Sequence, residues 1–248
     1  VRLRVYDNPP VVTTRLPPDE KDIMRDAFHE DLDRISDQLV EMSRLAGSAM
    51  TRATTSLLDA DLSLAESVIA ADQRIDDLRA ELDELGVDVL ARQQPVATDL
   101  RIVVTALHMG SSLERMGDLA QHIAKITRLR YPASAVPPEA RAVIVEMGQI
   151  ASRLVQQAGS IIAAKDVDAA LALSDEDDDM DRLHRQVFTM LASPTWSQPT
   201  DVAVDITLLS RYYERFADHA VAVSRQVVYL VTGDWSHLHG TPEATPGT

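Results

Sequence analysis

The chain has 248 residues, a formal net charge of −15 and no cysteine, so disulfides, thiolate metal sites and cysteine nucleophiles are excluded. The acidic balance argues against non-specific nucleic-acid binding, which needs clustered lysine and arginine, and favours basic partners or multivalent cations. Aromatic residues make up only 4% and glycine is scarce, a composition that suits helices better than strands.

Residues 1–23 carry four prolines and neither an apolar core nor a small-residue cleavage site, so they read as an extended, disordered arm. From Met24 to about Leu58 apolar residues recur at i, i+3, i+4 and i+7, the pattern of a buried helix face. The string DADLS starts a second helix that runs to about Arg92. Pro95 breaks the pattern, and a third helix follows to about Arg130. The segment YPASAVPP at 131–138, with three prolines, is the clearest boundary. The same pattern then returns, with helices over 139–164, 167–192 and 200–232 and a break at SPTWSQP. Gly233 caps the last helix, and 233–248 read as a disordered tail. This predicts an all-α protein made by internal duplication: two tandem three-helix bundles at 24–131 and 138–232. No stretch is apolar for the ~18 residues that a membrane span requires.

The duplication reaches individual side chains. LERMGD at 113–118 returns as YERFAD at 213–218. In the preceding helices, Asp72-Gln-Arg-Ile-Asp76 matches Asp177-Asp-Asp-Met-Asp181. Each half thus offers two acidic i,i+4 pairs: Asp72/Asp76 with Glu114/Asp118, and Asp177/Asp181 with Glu214/Asp218. Residues four apart share one helix face, where unpaired acids repel. Two such pairs facing each other require compensation by raised pKa values, a nearby arginine or a bound metal. All-carboxylate sites suit hard or borderline cations such as magnesium, manganese, calcium, iron and zinc. The helical period puts these acids roughly 110° round from the centre of each apolar stripe, which predicts a site on the bundle surface, open to water and partners. Arg115 and Arg215 either pair with the acids or are solvated. His122, four residues after Asp118, faces the same side, but its counterpart is Ala222, which favours a satisfied surface histidine. His184 and His219 have no repeat counterparts, and no role is assigned to them. There is no G-x-S-x-G string and no glycine-rich phosphate loop, so nucleophilic catalysis has no support.

With RQQPVATDLR (92–101), LERMGDLAQHIAKI (113–126), SDEDDDMDRLH (174–184) and RYYERFADHAV (211–221), the sequence resembles the PhoU family of bacterial phosphate-signalling regulators, its actinobacterial members in particular. The resemblance covers about 24–232 and implies two three-helix bundles related by pseudo-symmetry. It implies that Asp72, Asp76, Glu114, Asp118, Asp177, Asp181, Glu214 and Asp218 bind multinuclear metal clusters. Iron or zinc would come first, with magnesium or manganese as further candidates. Asp99 matches another family position near that face. The departures are His122 and Ala222, where many members carry asparagine, and the proline-rich arm. By implication the protein is a cytoplasmic, homodimeric, non-enzymatic negative regulator of the phosphate-starvation response. It would link the phosphate ABC transporter, through its ATPase subunit, to the sensor histidine kinase, and reach the membrane only through partners. The alternatives are a carboxylate-bridged metalloenzyme or a metal-buffering bundle; the enzyme would want Glu-x-x-His pointing into a bundle core, and this chain has none.

Overall fold

The computed structural model describes residues 18–234 and 236, with side chains described for all of these but 18–25 and 174–176. Seven helices follow one another: α1 (Pro18–Asp59), α2 (Leu62–Ala71), α3 (Gln73–Gln93), α4 (Thr98–Arg130), α5 (Pro138–Ala164), α6 (Val167–Leu191) and α7 (Thr200–Thr232). Their ends follow from local chemistry. Asp61 caps α2 by accepting from the Leu64 amide at 2.9 Å, and Asp166 caps α6 by accepting from Ala169 at 3.0 Å. Pro138 opens α5, and Pro199 immediately precedes α7, where a missing amide proton costs nothing. Gln94, Lys165 and Gly233 end α3, α5 and α7 in the left-handed conformation.

Two expectations need correction. The first helix begins at Pro18, so 18–23 of the expected arm are helical; 1–17 lie outside the described residues. Gly233, Asp234 and Ser236 are described from the expected tail, and the remainder lies outside. The second predicted helix is broken at Asp72 into α2 and α3, whereas its repeat α6 runs unbroken through Asp177. At the break the Ile75 amide bonds back to the Asp72 carbonyl at 2.8 Å, a tightened turn.

The first bundle is α1 to α4 and the second α5 to α7. α1 and α4 pack directly against α5 and α7, so these four helices form a central layer, with α2 and α3 covering one side and α6 the other. One apolar cluster runs through both halves, from Ile35, Leu39 and Met42 on α1 to Leu154 on α5 and Phe216 and Val223 on α7. Polar contacts pin the seam. The Tyr213 hydroxyl, fully buried, lies 2.8 Å from Thr54 Oγ1, and Arg130 Nη1 donates to Asp201 at 2.8 Å while its Nε meets the buried Asp205. Small residues let the helices close up: a Cβ on Gly148 of α5 would come within 2.6 Å of Thr54 on α1.

Candidate metal centres

The four carboxylates expected in each half converge from two neighbouring helices. In the first bundle Asp72 and Asp76 start α3, while Glu114 and Asp118 stand on α4 across from them. Gly117 makes the approach possible. A Cβ there would lie 2.8 Å from Asp72 Oδ1 and 2.8 Å from Ile75 Cδ1, which gives the small position of the Glu-Arg-x-small-Asp string a steric meaning. Asp72 is consequently only 6% exposed, and Asp76, Glu114 and Asp118 are half-buried. The site is thus more enclosed than its angular offset predicts.

Enclosure and like charge show in the titration of these groups. Asp72 is pushed up to about 6, first by burial and then by Asp76 and Asp118; Lys125 opposes the rise. Burial also raises Asp76 and Glu114, with Asp118 adding to both. Arg115 donates from Nη1 to Asp118 Oδ2 at 2.7 Å, so this arginine is paired with the cluster.

The second bundle repeats the arrangement. Asp177 and Asp181 on α6 face Glu214 and Asp218 on α7, and Asp177 is pushed up to about 6 by burial, then by Asp218 and Asp181. Burial raises Glu214, with Asp218 adding to the rise and Arg211 opposing it. Asp218 stands at the exposed rim, yet the protein packed about it still raises its carboxyl against the pull of Arg211. The partner of Glu214 is Arg211, bonded to Oε1. Glu214 Oε2 is buried with no hydrogen-bond partner.

Sequence reasoning missed the balancing cations. Lys125 acts on Asp72, and Arg225 acts on Asp177 and Asp218. They stand at equivalent positions of the two repeats, so the offset that revealed the acids also reveals them. Arg79, near Glu114, has no such signal because its counterpart is His184.

The two clusters flank the antiparallel α4–α7 pair at similar height. His122 on α4 lies against Tyr212 on α7, ring centroids 5.3 Å apart, and Arg115 and Arg215 both hold down the proton affinity of His219 behind the effect of burial. His184 lies 3.1 Å through Nδ1 from Ser210 Oγ and packs edge-on against Phe188. Asp99 is not near this face: it stands in the first turn of α4, about 22 Å along the axis from Glu114. It lines a cavity of about 440 Å³ with Leu39, Ile102, Lys165 and Leu230.

The donor sets suit a cation chemically. They are all-oxygen, repulsive when ionised, and include an orphaned carboxylate oxygen at Glu214. Among the described residues, no three acidic or imidazole groups close to metal-ligand spacing as they stand.

A family model, the PhoU domain, matches residues 39–127 and again 144–227, the two repeats in turn. The chain belongs to the PhoU family. It is 48% identical over 210 residues to "Phosphate-specific transport system accessory protein PhoU homolog 2" of Mycobacterium tuberculosis, covering 85% of this chain and 99% of that one. It is 44% identical over 212 residues to the PhoU homolog 1 of Mycobacterium leprae, covering 86% and 96%. The crystal structure of PhoU from Pseudomonas aeruginosa superposes with a TM-score of 0.77 at 29% identity, covering 84% of this chain and 100% of that one. PhoU from Streptococcus pneumoniae, at 22% identity and a TM-score of 0.74, shares the fold.

Proposed function

We propose that this PhoU protein is a non-enzymatic, metal-binding adaptor that restrains the phosphate-starvation response. It couples the phosphate ABC transporter, through its ATPase subunit, to a phosphate-sensing histidine kinase. The observation that carries the reading is the duplicated acid cluster within a chain whose mycobacterial relatives are named phosphate transport accessory proteins. In the first bundle Asp72, Asp76, Glu114 and Asp118 would hold the metal; in the second, Asp177, Asp181, Glu214 and Asp218. Iron or zinc is the expected occupant, with magnesium and manganese as further candidates. A bound cation supplies charge compensation to carboxylates that repel one another when ionised. The protein works in the cytoplasm as a homodimer and meets the membrane through its partners; no described helix is long and apolar enough to cross one.

The test is genetic and chemical together. Deleting the gene should switch on phosphate-starvation genes in phosphate-rich medium, and the protein recovered from phosphate-replete cells should bring down the transporter ATPase with metal bound. Normal repression in the deletion strain, with no second copy present, defeats the regulatory reading; metal-dependent turnover by the purified protein defeats the adaptor reading.

A further inference from the structure

The two acid clusters part company at one position. On α6 the face that carries Asp177 and Asp181 continues to His184, and on α3 the face that carries Asp72 and Asp76 continues to Arg79. The residue across the groove changes with it: Ser210 on α7 stands where α4 has Gly110. The register is the same in both halves. Arg79 lies over Gly110, where a Cβ would come 3.5 Å from Nη1, and His184 lies 3.1 Å from the Ser210 hydroxyl.

The contact with Ser210 sets the state of the ring. Ser210 donates its one hydroxyl proton to the Thr207 carbonyl at 3.0 Å. Toward His184 it can only accept, so Nδ1 carries the ring proton, and Nε2 of the neutral ring keeps its lone pair. A metal-ligating histidine has this arrangement, with one nitrogen on the ion and the other N–H held by an oxygen. The ring also stands at the edge of the cluster. Behind the effect of burial, the charges that act on it are Arg211, Asp181 and Asp218. The helices α6 and α7 run in opposite directions, His184 meeting Ser210 while Asp218 acts on Asp177. Helical side chains lean toward the N-terminal turn, so His184 leans toward Asp181 and Glu214 leans toward the level of His184. Arg211 bonds to Glu214 Oε1, and Oε2 is the buried oxygen left without a hydrogen-bond partner.

The first bundle offers no such nitrogen. Arg79 is a permanent cation that cannot ligate; it pairs with Asp83 and acts on Glu114 by charge.

We infer that His184, through Nε2, is a ligand of the second centre with Asp181 and Glu214, and that it makes the two centres chemically different. Imidazole suits zinc and iron, whereas carboxylates alone suit magnesium and manganese. The second centre therefore selects the borderline cation, and the first, all-oxygen and bordered by Arg79, prefers zinc less. The inference rests on the metal-binding reading above and adds which metal goes to which half.

The test uses the full chain carrying Glu114→Ala and Asp118→Ala, so that the second centre alone is filled. Zinc and manganese are titrated separately against a competing chelator, and the histidine nitrogens are followed by NMR. The ring of His184 is assigned through its contact with Phe188, 4.9 Å between centroids. Zinc should shift its Nε2 signal while Nδ1 stays protonated. His184→Gln should lower the ratio of zinc to manganese affinity by about tenfold or more, and Ser210→Ala, which removes only the acceptor for Nδ1, should lower zinc affinity by about tenfold. His219→Gln, on the same face, should leave the ratio within about twofold. Far-UV circular dichroism checks the fold of each variant, and the NMR readout decides the matter without a substitution at His184 or Ser210. Zinc bound with the His184 signal unmoved, or an unchanged ratio in His184→Gln, overturns the inference and leaves the metal-binding reading standing. A wild-type chain that binds neither metal overturns both.

Discussion

Asp72 offers a direct measure of what the acid clusters cost the fold. Its carboxyl is buried and pushed up to about 6, against 3.8 as the reference for an unfolded chain. The native state therefore holds the proton more tightly than the unfolded state. Stability from this group is present in full below about pH 3.8 and is lost as pH rises through about 6. A difference of about two units corresponds to a ceiling of ~3 kcal/mol, of which part belongs to its neighbours Asp76 and Asp118, leaving ~2 kcal/mol to Asp72 itself. Asp72→Asn keeps the shape and removes the charge. In EDTA at pH 7.5 the variant should melt about 4–8 °C above wild type, and by pH 4.5 the gap should narrow to about half of that. Thermal unfolding followed by circular dichroism across pH 4.5–8 reads this out. A variant less stable than wild type at every pH, or a wild type that gains stability from pH 5 to 7 by an amount the substitution leaves unchanged, refutes the reasoning.

Glu114→Ala with Asp118→Ala should lower the metal content of the first bundle and leave the second occupied; elemental analysis after reconstitution with iron, zinc, manganese or magnesium checks this. Chelation should lower the melting temperature while far-UV helicity at room temperature is unchanged, because the apolar core does not depend on metal. Gly117→Ala must displace Asp72 and Ile75 and should destabilise the chain by ~1–3 kcal/mol, measured by urea unfolding. Tyr213→Phe should cost only ~1 kcal/mol: Thr54 already donates to the Met50 carbonyl at 2.9 Å, so tyrosine is the donor to Thr54, and its loss strands no proton.

Helix limits and the duplication are legible in the sequence because prolines, aspartate caps and the apolar period are local signals. The break at Asp72 carries no such signal. It occurs in the half whose small residue is Gly117, where α4 closes on Asp72; the equivalent residue in the other half is Ala217, and α6 is continuous. The same approach explains why the first bundle's acids, placed by angle at an open surface, are half-buried or, for Asp72, buried. Angular position on one helix cannot tell how near the next helix comes. The packing of the halves into one core was equally hidden, since contacts such as Tyr213 to Thr54 or Arg130 to Asp201 join residues with no periodic relation.

The two halves differ at packing and surface positions and agree where charge is gathered. Leu113 corresponds to Tyr213, His122 to Ala222 and Asp83 to Phe188, yet both halves keep four acids and a cation at one equivalent position, Lys125 or Arg225. In each half the most strongly shifted acid, Asp72 or Asp177, sits at about 6, so near neutral pH both clusters are ionised at a cost to folding. The cations present offset that cost incompletely, since the shifts remain upward after their effect. An apolar core this continuous has no need of such groups for folding. A cation held as proposed above, or a basic partner, would supply compensation from outside the chain to such an oxygen-rich cluster.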